Sequence, residues 1–98
     1  MTKKSEILLP VVHLNGTSKD SLVDGLRDIV EGIDSALSAI QDAWPHGRDY
    51  YTQAIDMHAV HAQWAQRRED LQRIRDEYYY IALKTKYPNV DFDLDGQS

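Results

Sequence analysis

The strongest constraint in this chain is a seven-residue repeat in its second half. Met57, Val60, Trp64, Arg67, Leu71, Ile74, Tyr78 and Ile81 follow one another at intervals of 3, 4, 3, 4, 3, 4 and 3 residues. A strand alternates its side chains between two faces, so only a helix keeps such a series on one side. Four consecutive repeats make a heptad seam, with Arg67 as its single charged position. The pattern predicts a helix (helix B) over residues 52–86, about 50 Å long at about 1.5 Å per residue.

A second helical pattern precedes it. Leu22, Leu26, Ile29, Ile33, Leu37, Ile40 and Trp44 recur every three or four residues and predict helix A over 17–44. Its start carries the pattern Thr17-Ser18-Lys19-Asp20, in which the Thr17 hydroxyl would cap a first-turn amide and Asp20 would reach back. Gly25, Gly32 and Ala39 are spaced by seven, and each glycine costs about 1 kcal/mol inside a helix. Close approach of a second helix is the expected reason, with a ligand lying against bare backbone as the alternative.

Between the helices, Pro45 stops helix A and Gly47 supplies the turn, so 45–51 is a loop. Two long helices and a short loop predict an all-α fold, an antiparallel helical hairpin. Residues 1–16 read as a short extended arm and turn: Pro10 interrupts the apolar run Ile7 to Leu14, and Asn15-Gly16 is a turn signal. Residues 87–98 read as an acidic flexible tail carrying Asp91, Asp93 and Asp95.

Ninety-eight residues bury a limited fraction of their surface alone, and a chain without cysteine has neither a disulfide framework nor a thiolate metal site. Assembly as a homo-oligomer is the expected remedy. A net charge of -5, from 11 basic and 16 acidic residues, argues against non-specific binding to nucleic acid. No apolar run reaches membrane-spanning length, so a cytoplasmic protein with no membrane partner is expected.

No motif demands catalysis. A cysteine nucleophile, a phosphate-binding glycine loop and the H-E-x-x-H pattern are all missing from the sequence. His58 and His61 lie three apart with Asp56 nearby, but histidines at that spacing on a charged helix are ordinarily surface residues, so no metal and no cofactor are expected. Binding has better material. Arg48 stands beside the start of helix B, where free amides and the helix dipole favour an anion. Tyr50 and Tyr51 offer ring faces to a base, and His46 adds a hydrogen-bonding ring. The plainer account has the tyrosines plugging the end of the hairpin while Asp49 pairs with Arg48. Arg67, in the seam, needs a carboxylate, a carbonyl or a ligand phosphate, because an unpaired buried charge is costly. Arg68, Arg73 and Arg75 are expected to pair along the helix with Asp70, Asp76 and Glu77.

His13-Leu14-Asn15-Gly16-Thr17-Ser18, then a helix, then Pro45-His46-Gly47-Arg48-Asp49-Tyr50-Tyr51, resembles small helical proteins of bacteriophage and prophage genomes. In particular it is similar to phage anti-defence sponges, small oligomers that sequester nucleotide second messengers of bacterial immunity. The resemblance covers roughly residues 11–84 and implies a non-catalytic protein of the bacterial cytoplasm that holds a small anionic nucleotide between subunits. Carried onto this chain it implicates Asn15 and Thr17 from the first motif, and His46, Arg48, Tyr50 and Tyr51 from the second. Arg67 joins them from the seam alone. A protein-binding inhibitor and a phage structural or assembly protein are the rival expectations. In an up-down hairpin the two motifs lie at opposite ends, so only a second subunit packed antiparallel brings them together.

Overall fold

The computed structural model describes residues 3–10, 18–46 and 56–94. Two helices pack against each other as an all-α hairpin, and the described residues contain no strand. Helix α1 runs Lys19–Asp42 and helix α2 runs Met57–Lys86. The molecule is elongated, 61 × 23 × 20 Å.

Each helix begins on a side-chain cap. Ser18, in extended geometry, accepts a hydrogen bond from the Ser21 amide at 3.1 Å through its hydroxyl. The cap is therefore Ser18, one residue after the expected Thr17, and Thr17 itself lies outside the described residues. Either hydroxyl suits the role, and the chain takes the one adjacent to the first helical turn. Asp56 caps α2 by accepting from the His58 amide at 2.9 Å, so α2 starts at Met57, later than the expected residue 52. At its far end α1 stops at Asp42 with Ala43 as C-cap, two residues before the expected end. Pro45 disfavours helical geometry at Trp44, and the end is felt one residue earlier still.

The buried core sits at the end of the hairpin away from the joint. Val23 and Val30 of α1 meet the side of α2 that carries Tyr79 and Ala82, and Tyr80 and Thr85 are buried nearby. The register on α1 thus passes through Val23 and Val30, while Leu22 is half-buried and Ile29 is exposed. It rejoins the expected stripe at Leu37 and Ile40, which are half-buried. Across the middle, Arg75 of α2 reaches Asp34 of α1 with Nε donating to Oδ1 at 2.9 Å and Nη2 to Oδ2 at 3.5 Å. The expected pairing of Arg75 within its own helix is thereby largely replaced by a bond between helices; a 3.5 Å contact with Asp76 persists. Its hydrogen bonds to Asp34 come first among the causes that raise the Arg75 pKa above its ordinary value. A raised value in the folded state means that this arginine's stabilisation is fully present below its ordinary value and is lost as pH climbs from there through the raised one. Asp34 is half-exposed, so Asp34→Asn is expected to cost only about 0.5–1 kcal/mol in urea denaturation.

Gly25 and Gly32 correct another expectation. A Cβ built on either meets nothing within 4 Å, and both residues are exposed, so no helix of the hairpin approaches them. They belong to the outer face of α1. Gly25→Ala and Gly32→Ala are each expected to raise stability by up to about 1 kcal/mol, measured by urea denaturation at fixed protomer concentration. A loss of stability instead would place another helix against that face.

The ends of the chain are tied together beside the core. Lys4 to Glu6 form a single 3-10 turn, after which Ile7 continues in extended geometry, and the Lys4 ammonium sits 3.1 Å from Asp91. The expected free tail does not begin at residue 87. Lys84 donates to the carbonyls of Pro88 and Val90 at 3.0 and 2.9 Å, and the Tyr87 and Phe92 rings lie 6.3 Å apart. An ammonium satisfied by two backbone carbonyls holds the chain in a turn, which composition alone did not suggest.

Candidate functional site

The densest described chemistry lies at the joint end, where α1 gives out and α2 begins. Trp44 and Pro45 leave α1 in non-helical geometry, and α2 presents His61, Trp64 and Arg68 at successive turns. Those three residues share one side of a helix by their spacing of three and four. Trp44 is their common neighbour. Its ring stacks on His61 at 6.0 Å and 26°, meets Trp64 edge-on at 5.9 Å and 76°, and lies 4.8 Å from the Arg68 guanidinium. His61 donates through Nε2 to the carbonyl of Pro45 at 3.0 Å, which fixes the chain's exit from α1 against α2. That bond requires a proton on Nε2, because a carbonyl only accepts.

Of the residues singled out from sequence, His46 and Arg67 fall within the described part. His46 is exposed directly after Pro45, beside the aromatic cluster. Arg67 is exposed as well, which corrects its assignment to a buried seam. The reason is geometric: α1 packs against the side of α2 carrying His61, Arg68, Arg75 and Ala82, and Arg67 is turned about 100° from its neighbour Arg68. Arg67 also lies about 9 Å along the helix from His61. Asn15, Thr17, Arg48, Tyr50 and Tyr51 lie outside the described residues.

Four residues of the cluster were not among the expected ligand-binding positions: Trp44, His61, Trp64 and Arg68. Antiparallel counting from the joint sets Trp44 opposite His61 and Trp64, so the ring cluster follows once both helices are placed. Arg68 was expected to pair with an acidic residue along its own helix, yet it sits over Trp44, while Asp70 is met by Gln66 at 3.0 Å and Arg73 at 3.5 Å. A guanidinium on an indole face gains about 0.5–1 kcal/mol at an exposed site, comparable with a surface ion pair.

Two recesses lie away from the joint. One, of about 300 Å³, has Val23, Val30 and Ala82 in its lining, with Arg27, Lys86 and Tyr87 beside them. The other, of about 350 Å³, opens between the arm and α2 and is lined by Ile7, Leu8, Ile74, Glu77, Tyr78 and Ile81. Among the described residues no three histidine or acidic side chains gather in a way that could hold a metal ion, and no helix is long and apolar enough to cross a membrane.

Comparison with protein-family models, with curated proteins and with solved structures finds no match to this chain.

Proposed function

We propose that this protein is a non-catalytic, self-associating helical hairpin that binds a small anionic nucleotide at its joint end. The ligand class is a cyclic nucleotide or an ADP-ribose-type second messenger, held in a pocket between subunits. Withholding it from a bacterial immune effector would be the anti-defence role that the sequence resemblance implies.

The observation that carries this reading is the joint-end cluster. In a chain of net charge -5, two indoles, His61 and the Arg68 guanidinium meet at one point, with the exposed His46 following Pro45 in the chain and the exposed Arg67 on an adjoining side of α2. Ring faces and guanidinium groups suit a base joined to a phosphate, the one by stacking and the other by charge-assisted hydrogen bonds. Self-association is supported by the thin core, since among the described residues no side chain is less than 2% exposed.

The test is thermal melting against a panel of cyclic di- and trinucleotides and ADP-ribose derivatives. A ligand at a hundred times its dissociation constant is expected to stabilise the fold by about 2.7 kcal/mol. A flat panel would overturn the nucleotide reading. Where a ligand is found, Arg48→Ala and Arg67→Ala separate a site in the loop from one on α2.

The exposed apolar side chains Leu8, Ile74 and Tyr78 favour a second reading, a protein-binding inhibitor or phage assembly component that acts through its helical surfaces. A flat panel combined with salt-sensitive capture of a defined host protein, or recovery of the chain in purified particles, would decide for it.

A further inference from the structure

Away from the joint, the groove between the helices opens into the recess of about 300 Å³. Its floor is apolar. Val23 and Val30 of α1 and Ala82 of α2 are 8%, 6% and 9% exposed, so whatever enters the recess meets the core itself and not an outer face of a helix. The walls are held in place. On one side the Tyr79 ring lies 5.0 Å from the Arg75 guanidinium, which the Asp34 carboxylate anchors in turn. On the other, Tyr87 donates its amide to the Leu83 carbonyl at 2.8 Å and begins the turn that Lys84 fastens.

The rim carries charge of one sign. Arg27 of α1 and Lys86 of α2 line the recess, and no acidic side chain does. Asp24 and Glu31 stand three residues before Arg27 and four after it, the spacings at which helical neighbours pair, yet no described carboxylate lies within ion-pair distance of its guanidinium. Lys86 also lacks a described carboxylate partner, and its ammonium lies 5.5 Å from the Tyr87 ring. The dipole of α2 accounts for a cation in its last turn; Arg27, inside α1, has no such reason to be there.

We infer that this recess binds a small organic anion with an apolar body, of the class of single-ring aromatic carboxylates. The ring rests on the valines and Ala82 against the two tyrosines, and the carboxylate turns outward to Arg27 and Lys86. Burial of the ring and charge-assisted hydrogen bonds to the rim act on the two halves of one molecule. The volume stands at the lower bound of small-ligand pockets, about 300–1,000 Å³, which suits one ring and is too small for a dinucleotide. Each helix supplies part of the floor and one of the cations, so the ligand bridges α1 and α2 and binds only the folded chain. This site lies at the opposite end from the joint and is independent of the nucleotide reading.

The test is a titration of the full chain with phenylacetate, followed by amide NMR shifts, beside acetate, which keeps the charge, and phenylethanol, which keeps the ring. Saturable shifts are expected at Val23, Val30 and Ala82 below about 10 mM phenylacetate, with little change at Trp44 and Trp64, and with both controls at least about tenfold weaker. Arg27→Gln and Lys86→Gln replace exposed side chains and are expected to leave the circular dichroism unchanged. Each is expected to weaken phenylacetate binding at least about threefold, and Arg27→Lys to retain most of it. The absence of saturable shifts overturns the inference, as do shifts centred on the joint, equal affinity for either control, or undiminished binding in both glutamine variants. A flat nucleotide panel leaves this recess standing, and a nucleotide whose shifts fall on Trp44 and His61 leaves it equally untouched.

Discussion

Val30→Asp is expected to unfold the protein, whereas Ile29→Asp, one residue earlier, is expected to be tolerated. Val30 is 6% exposed against the side of α2 that carries Tyr79 and Ala82, where a carboxylate is stripped of water with only Arg27 and Lys86, at the rim of the same recess, to meet it. Removing the valine loses about 1–2 kcal/mol of apolar burial, and desolvating the charge adds roughly as much again or more even where a cation partly offsets it. That sum rivals the whole stability of a small domain. Ile29 is 40% exposed, and a surface replacement there is expected to cost less than about 1 kcal/mol. Circular dichroism at 222 nm and urea denaturation of the two variants check the contrast. Equal damage from both would mean that the register through Val23 and Val30 is wrong.

Trp44→Ala is expected to cost about 3 kcal/mol, at the low end of the range for buried aromatic truncations because the ring is only half-buried. Three contacts disappear together: the stack on His61, the edge contact with Trp64 and the seat of the Arg68 guanidinium. Arg68→Ala removes only the last of these and is expected to cost about 0.5–1 kcal/mol. The damage from Trp44→Ala should be local. Hydrogen exchange is expected to speed up in the first two turns of α2, where the His61 bond to the Pro45 carbonyl loses its neighbour, and to change little around Tyr80 and Thr85. Uniform acceleration along α2 would show instead that the joint and the core unfold as one unit.

Both helices were legible in the sequence, and their facing registers only partly so. Pro45 and the spacing from Leu22 to Trp44 place α1, and the heptads place α2, because three-to-four periodicity survives any choice of partner. What the pattern leaves open is which of two adjacent apolar residues turns inward. Leu22-Val23, Ile29-Val30 and Ile81-Ala82 are such doublets, and in each the inward member is the smaller or β-branched second residue. Helix α2 carries apolar residues on more than one side, so its most regular series meets α1 only in part: Trp64 packs on Trp44, while Ile74 and Tyr78 are left exposed. The outward glycines of α1 were misread for a related reason. A spacing of seven puts them on one face without saying which.

The joint-end cluster was legible in its materials and not in its geometry. Trp44 and Trp64 stood out only as seam residues, and nothing local to either announces that they touch across twenty residues of chain. Arg75 and Arg68 were assigned by proximity along one helix. In the fold each is drawn across to α1, the first by the Asp34 carboxylate and the second by the Trp44 ring. Side chains this long choose among several partners of similar energy, and the choice is made by tertiary placement.

The contact between Lys4 and Asp91 joins residues 87 apart in the chain. As an exposed ion pair it contributes little to equilibrium stability. Its consequence is for the order of events during folding. Helical turns form from neighbours, and the hairpin closes across a loop of modest length; the arm can meet the segment after α2 only once that has happened. This clasp is the last step of the topology. A fluorescent pair at these two positions would report completed assembly of the chain, trailing a helical signal that rises before it.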